Sequence, residues 1–183
     1  MISSDFLQKK QTELTIPQLY TTKRKIKEII LHCSANPEGQ DVKAAAIKKY
    51  HVEHNGWRDI GYNFVIDLDG TIEIGRNLDI AGAHTTNHNS ISIGICYIGG
   101  LANIPGVAYK NLPAKDTRTP AQKEAMYKLV HDLLLLYPKA TVHGHYEFEK
   151  KACPSFKIED FQKEFHLWLQ VNKLKGVENF KLD

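Results

Sequence analysis

The stretch Thr141–Phe156, TVHGHYEFEKKACPSF, constrains the fold of this chain more than any other. It offers His143, His145 and Cys153 as donors, with Lys151 two residues before the thiol. Imidazole and thiolate favour zinc over magnesium or calcium, which take oxygen ligands. A catalytic zinc keeps three protein ligands and an open position for water. The stretch therefore has to meet a donor from elsewhere in the chain. The best supplier is His32, which lies at the end of the apolar run EIILHCSA. His143 and His145 are two apart, so in an extended segment both face one side. On the residues alone, either histidine or both could bind metal, and Gly144 between them permits a close approach.

The remaining elements show how His32 and this stretch could meet. Ile26–Cys33 is rich in β-branched residues and reads as a central strand, with His32 at the strand end where α/β folds place functional groups. Asn36–Gly39 makes a turn, and Asp41 is expected to cap a helix running to about His54, with Ile47 and Tyr50 inward and Asn55-Gly56 as its stop. Gly61–Asp67 and Thr71–Ile74 form a hairpin around Asp69-Gly70. The polar loop Ala81–Ser90 precedes a strand over Ile91–Ile98. Gly99–Asp116 shows no strong pattern. Thr119-Pro120-Ala121-Gln122 is a capping box with proline at the first helical position. The helix that follows puts Met126, Leu129, Val130, Leu133, Leu134 and Tyr137 on one apolar face, with His131 at its margin, and Pro138 marks its end. Ala140–His143 is short and strand-like. Ile158–Leu169 carries Ile158, Phe161, Phe165 and Trp168 at helical spacing, so this last helix should clamp the Cys153 loop against the sheet.

Size and charge narrow the function. A chain of 183 residues suits one domain with a single sizeable core. The net charge is +3 and there is no basic stripe with interleaved aromatics, which gives no case for nucleic acid. Residues 1–22 read as an arm or edge segment ahead of a domain over 23–183. MISSDFLQKKQTELTIPQLY contains no uninterrupted apolar run, so neither a signal peptide nor a membrane span is expected there. The chain is accordingly expected to be made in the cytoplasm, without membrane insertion, and as a monomer. Three cysteines with no paired spacing do not make a disulfide framework. Cys33 and Cys96 sit in apolar runs as buried small hydrophobes.

Three blocks, IILHCSA, GWRDIGYNFVIDLDGTIEIGR and HYEFEKKACPSF, with AHTTNHNSISIGICYIGG between the last two, resemble the zinc-dependent N-acetylmuramoyl-L-alanine amidases of the phage-lysozyme and peptidoglycan-recognition type. The resemblance runs from about Lys25 to about Trp168. It implies an α/β fold, a single domain with a central mixed sheet flanked by helices and zinc in a surface groove. It also selects among the donors: the family's second histidine ligand stands eight residues before its cysteine ligand, a spacing met by His145 and Cys153. The implied zinc ligands are then His32, His145 and Cys153, with His143 a neighbour. Tyr62 occupies the family's active-site tyrosine position, and Lys151 matches the catalytic lysine of the KACPSF block. Asn63 stands where these amidases often have histidine, and His84 where the family has one; both are expected at the substrate groove.

The implied reaction is hydrolysis of the amide between N-acetylmuramic acid and L-alanine in peptidoglycan. Zinc would activate water, Lys151 would help stabilise the carbonyl oxygen, and Tyr62 would orient water or relay a proton. Glu147 and Glu149 are expected to be solvated loop residues, and His51 and His54 surface or capping ones. A non-catalytic peptidoglycan-binding module is the main rival from another class, but the retained ligands with Tyr62 and Lys151 argue against it. A cytosolic amidase recycling soluble muropeptides is the rival enzyme. That subgroup more often uses an Asp ligand, so Cys153 leans toward an endolysin-like lytic enzyme acting on the wall after release.

Overall fold

The computed structural model describes residues 18–174. In chain order its strands and helices are β1 (Glu28–Cys33), β2 (Asn36–Pro37), α1 (Ala44–Glu53), β3 (Phe64–Ile66), β4 (Ile72–Ile74), β5 (Ser92–Tyr97), β6 (Gly100–Leu101), α2 (Pro120–Leu136), β7 (Thr141–Gly144) and α3 (Ile158–Val171). Five strands form a sheet in the order β4-β3-β5-β1-β7. β3, β5, β1 and β7 are parallel, while β4 runs antiparallel at the edge as the partner of β3. The sheet is therefore mixed. Parallel neighbours need long crossovers, and these carry the helices. β5 is buried at every residue and β1 at all but its first, which is why both read as continuous apolar runs.

The two faces of the sheet are covered unequally. One receives α2 and α3: Met126, Leu129, Val130 and Leu133 meet Phe161 and Phe165 over Ile29, Leu31, Ile93 and Phe64. Deleting a buried phenylalanine from such a layer costs about 3–5 kcal/mol. The other face takes α1, whose Ala44 and Ile47 pack with Ile60, Val65 and Ile98. Val65 alternates with Phe64 and Ile66, so the strand period sends it to the opposite layer.

Helix starts show where local sequence decides and where it does not. At α2 the capping box forms as expected: Gln122 N–H donates to Thr119 Oγ1, and Thr119 N–H donates to Gln122 Oε1, both at 3.0 Å. The Gln122 amide also donates to Ile66 O and Ile98 O, fastening the helix start to two strands. At α1 the expectation of an Asp41 cap is corrected. The helix begins at Ala44, whose N–H donates to Glu73 Oε1 on β4 at 2.8 Å. Asp41 is exposed and pairs with Lys43 instead. The free N–H at that helix end is satisfied by a carboxylate from across the fold.

The hairpin forms with shorter strands than expected, and Gly70 at its turn has φ +85°. Residues Gly99–Asp116, which show no pattern in the sequence, contain β6, paired in parallel with β2, and a 3-10 turn at Tyr109–Asn111. His131, expected at the margin of the α2 apolar face, is buried beside Trp168. Residues 1–17 of the expected arm lie outside the described residues, as do 175–183. Residues 18–22 pack on the domain: Tyr20 is buried with its ring 5.0 Å from Phe64, and Thr22 Oγ1 donates to Asp79.

Candidate active site

The parallel strands β1 and β7 end side by side, and the site lies at that edge, the usual place for function in such sheets. His32 is the penultimate residue of β1 and is fully buried. Cys153 Sγ lies 3.7 Å from His32 Nδ1, and the His145 ring centroid is 4.5 Å from that of His32. One donor atom from each of His32, His145 and Cys153 falls within 4.8 Å of the others.

The two histidines of HGH part company at the end of the strand. β7 stops at Gly144, and His145 opens a 3-10 turn over His145–Glu147. The two-residue period is thus broken between them, and His145 turns inward while His143 stays on the surface side. His143 is held between Thr141 Oγ1 at 2.8 Å and Glu147 Oε2 at 2.9 Å. Glu147 also accepts the Gly144 N–H at 2.6 Å. It therefore fastens the turn that presents His145, in place of the solvated role expected of it.

His84 lies behind His32. Its Nδ1 is 3.0 Å from His32 Nε2 and 3.1 Å from Thr85 Oγ1, and its Nε2 is 3.4 Å from Ser92 Oγ, which donates to His88 O. With His32 Nδ1 facing Cys153, the consistent assignment puts the His32 hydrogen on Nε2, donated to His84 Nδ1. His84 then donates from Nε2 to Ser92. Such partners fix the tautomer and orientation of a metal-binding imidazole. The ring sits against Gly94, where a Cβ would come within 2.5 Å of it, so the strand needs glycine there. In place of the substrate contact expected of it, His84 is buried and supports His32. Asn63, the other expected contact, is fully buried; its Oδ1 accepts the Gly94 N–H and its Nδ2 donates to Arg76 O. Neither side chain is open to a ligand.

Burial sets the protonation of the cluster. It holds His32 well below the ordinary imidazole range, and the nearby His84, His145 and Lys151 push the same way. It depresses His84 to about 3 and lowers His145, the latter opposed by Glu149. All three rings are therefore neutral at neutral pH, the state a metal requires. His145 Nε2 is buried without a hydrogen bond, although Glu149 Oε1 is 3.3 Å away. Cys33 N–H donates to Cys153 Sγ at 3.2 Å, but the neighbouring Cys33 thiol and burial outweigh it and push the Cys153 thiol up, so without a metal it stays protonated. Two neutral imidazoles, a thiol with an N–H aimed at it, and an unsatisfied ring nitrogen fit a zinc ion.

The Cys153 loop is pinned from three sides. Tyr97 OH donates to Pro154 O at 2.9 Å, Tyr146 N–H donates to Cys153 O at 2.8 Å, and Phe156 lies 3.7 Å beneath the Arg118 guanidinium. Arg118 pairs with Asp116 and with Glu164 of α3, so the last helix does clamp this loop.

Tyr62 precedes β3 by two residues, with its ring centroid 5.2 Å from His32. Burial, with smaller contributions from the cysteine thiols nearby, raises its phenol well above the ordinary value, so it stays protonated and can donate. His51 lies against it at 5.6 Å and accepts the Gly61 N–H on Nδ1, a closer association than the surface role expected. A cavity of about 480 Å³ opens on this side, lined by Tyr62, Tyr50, Tyr109, Ser34, Asn36 and Gln40 among others. On the opposite side, Lys151 Nζ pairs with Glu149 Oε2 at 2.7 Å. That pair, with the Thr86 N–H, draws the Glu149 carboxyl down to about 2. Glu149 thus ties Lys151 to the His84 loop beside His145, and the solvated-loop expectation is corrected. The signal was present in the sequence: Glu149 stands four residues after His145 and two before Lys151. No helix among the described residues is long and apolar enough to cross a membrane.

A family model described as N-acetylmuramoyl-L-alanine amidase matches residues 22–156. The endolysin of Enterobacteria phage K11 is 37% identical over 144 residues, covering 79% of this chain and 90% of its own length. The endolysin of Escherichia phage T7 is 39% identical over 146 residues, covering 80% of this chain and 87% of its own. Among solved structures, the N-acetylmuramoyl-L-alanine amidase LysC from Clostridium intestinale superposes with a TM-score of 0.62 at 24% identity, covering 78% of this chain and 87% of that one. That likeness concerns the fold.

Proposed function

We infer the chemistry from one premise: this chain belongs to the N-acetylmuramoyl-L-alanine amidase family. It is a lytic amidase of peptidoglycan, and the proposal concerns how its residues do the work. We assign zinc as the cofactor, held by His32, His145 and Cys153. The observation that carries this assignment is the convergence of their donor atoms within 4.8 Å at the sheet edge. A zinc ion held by these residues would supply Lewis acidity there, making water nucleophilic near neutral pH and polarising a carbonyl.

The chain's own groups do the rest. The amide carbonyl oxygen gains negative charge in the transition state, and the departing L-alanine amine needs a proton. Lys151 provides a cation for the oxygen, kept at the site by its pairing with Glu149. Tyr62, half-buried with its phenol desolvated and so kept protonated, orients water and hands a proton toward the amine. His84 holds His32 in the tautomer that leaves Nδ1 free. The substrate is polymeric peptidoglycan, taken by a monomer that reaches the wall after release from the cytoplasm. The endolysin relatives support that order of events.

The experiment is metal analysis joined to product analysis. The purified protein should carry one zinc per chain, lost in His145→Ala and kept in His143→Ala. Mass spectrometry of digested sacculi should show stems released with free L-alanine amines. The reverse result for the two histidines overturns the ligand set. Efficient cleavage of soluble muropeptides with intact sacculi untouched overturns the lytic substrate.

A further inference from the structure

We propose that the cavity on the Lys151 side of Cys153 binds an oxyanion carried by the wall substrate, either a peptide-stem carboxylate or a glycan-linked phosphodiester. The proposal deepens the amidase reading above and rests on it. The cavity holds about 680 Å³ and is lined by Lys150, Lys151 and Lys157 with Tyr146, Ser155 and Phe156, among others, and by no acidic residue. Its size is that of an ordinary ligand pocket.

The three cations are not equivalent. Lys151 is paired with Glu149 at 2.7 Å and is the cation that the reaction above uses, so it is not assigned to this site. Among the described residues, no carboxylate pairs with Lys150 or Lys157. Lys157 Nζ sits 4.8 Å over the Tyr146 ring. That ring is itself fixed, because Tyr146 OH accepts the Ile158 N–H at 3.0 Å and Tyr146 N–H donates to Cys153 O at 2.8 Å. Phe156 forms an apolar wall held beneath Arg118. Two exposed lysines with no ion-pair partner, set against fixed aromatic walls, form the anion site, while Lys157 also borders the adjoining cavity of Asp116, Asp160 and Glu164.

The opposite cavity gives the contrast. Its lining of Ser34, Asn36, Gln40, Tyr50, Tyr62 and Tyr109, with His51 and small apolar residues, contains no lysine, arginine or carboxylate. The two sides of the metal ligands therefore differ in charge. A substrate with neutral and anionic parts would be sorted across the site, its anionic group beside Lys150 and Lys157.

The test is a Lys150→Gln/Lys157→Gln double variant, which leaves Lys151 and Glu149 in place. It is assayed on sacculi left untreated, sacculi with carboxylates amidated, sacculi stripped of phosphodiester polymer, and sacculi given both treatments. Two exposed ion contacts are worth about 1–2 kcal/mol together, so the half-saturating concentration of untreated wall should rise about tenfold with kcat unchanged. The penalty should vanish on amidated wall if a carboxylate is the ligand, and on stripped wall if a phosphodiester is. No rise on untreated wall, or the same rise on wall that has been both amidated and stripped, overturns the proposal. Cleavage by the unaltered enzyme in the same assay reports on the amidase reading separately.

Discussion

The two flanks of the His32, His145 and Cys153 cluster are built from opposite materials. Behind His32 lie the neutral side chains of His84, Thr85 and Ser92, all buried. In front of His145 lies an ion pair, Glu149 with Lys151, whose lysine side chain is 55% exposed. A neutral buried relay can hold one tautomer and one geometry because every hydrogen bond in it is shielded from water. An exposed ion pair is weaker and screened, yet it leaves a cation within reach of an incoming carbonyl. The back flank is suited to orienting a ligand, and the front flank to meeting a charge that appears only during reaction.

The largest effect should come from removing what both flanks serve. Cys153→Ala or His32→Ala should lose zinc and drop hydrolysis to background, while His143→Ala stays within about twofold, as most surface substitutions do. Zinc retained in Cys153→Ala would break the comparison at its centre. Next come the groups that meet the substrate. Tyr62→Phe and Lys151→Ala should keep zinc and fold, but lose about 10²–10³ in kcat. Near-normal turnover in both would move attention to the glutamates, with Glu147 first.

The back flank is then tested by His84→Ala, which removes the acceptor for His32 Nε2. Losing such a partner typically costs about 10–100-fold in metal affinity, read by competition with a chelator. An unchanged affinity would mean that His84 does not orient His32. The front flank should respond differently. Glu149→Gln should lower kcat about tenfold, with zinc affinity little changed. The loss should disappear in a Lys151→Ala background, because a residue acting only through Lys151 has nothing left to hold. Full additivity of the two changes would assign Glu149 an independent role.

The smallest effect separates the flanks by acid. Burial holds His84 to about 3, whereas an unfolded histidine titrates near 6.5. Below about pH 6.5 the unfolded chain takes up a proton that the folded chain refuses, so metal-free stability should fall as pH drops from there toward 3. Glu149, drawn to about 2 by Lys151 and the Thr86 N–H, has the carboxylate sign. Its contribution is present above about pH 4.5 and is lost only as pH falls toward 2. Denaturant midpoints between pH 7.5 and 5 should therefore decline in the unaltered protein and in Glu149→Gln alike. A Glu149→Gln protein that resists this decline would place the early acid response on the wrong flank.

The sequence by itself determined the parts whose physics is local. β1 and β5 were legible because strands buried on both faces read as apolar runs. α2 was legible from Thr119, Pro120 and Gln122, since a capping box is satisfied within one turn. The amidase resemblance, read on IILHCSA and KACPSF, pointed to the donor set that the fold brings together. Tertiary structure decided the rest, because it depended on partners far apart in the chain. Glu73 caps α1 from β4, and nothing near Asp41 reports that. His84 and Asn63 were expected at the groove, but the sheet packs both inside, where they hold His32 and two backbone groups. The two histidines around Gly144 are alike in sequence, and only the end of β7 separates them. Strand periodicity would have kept both side chains on one face; the 3-10 turn that replaces it sends His145 to His32 and Cys153 and leaves His143 with Glu147.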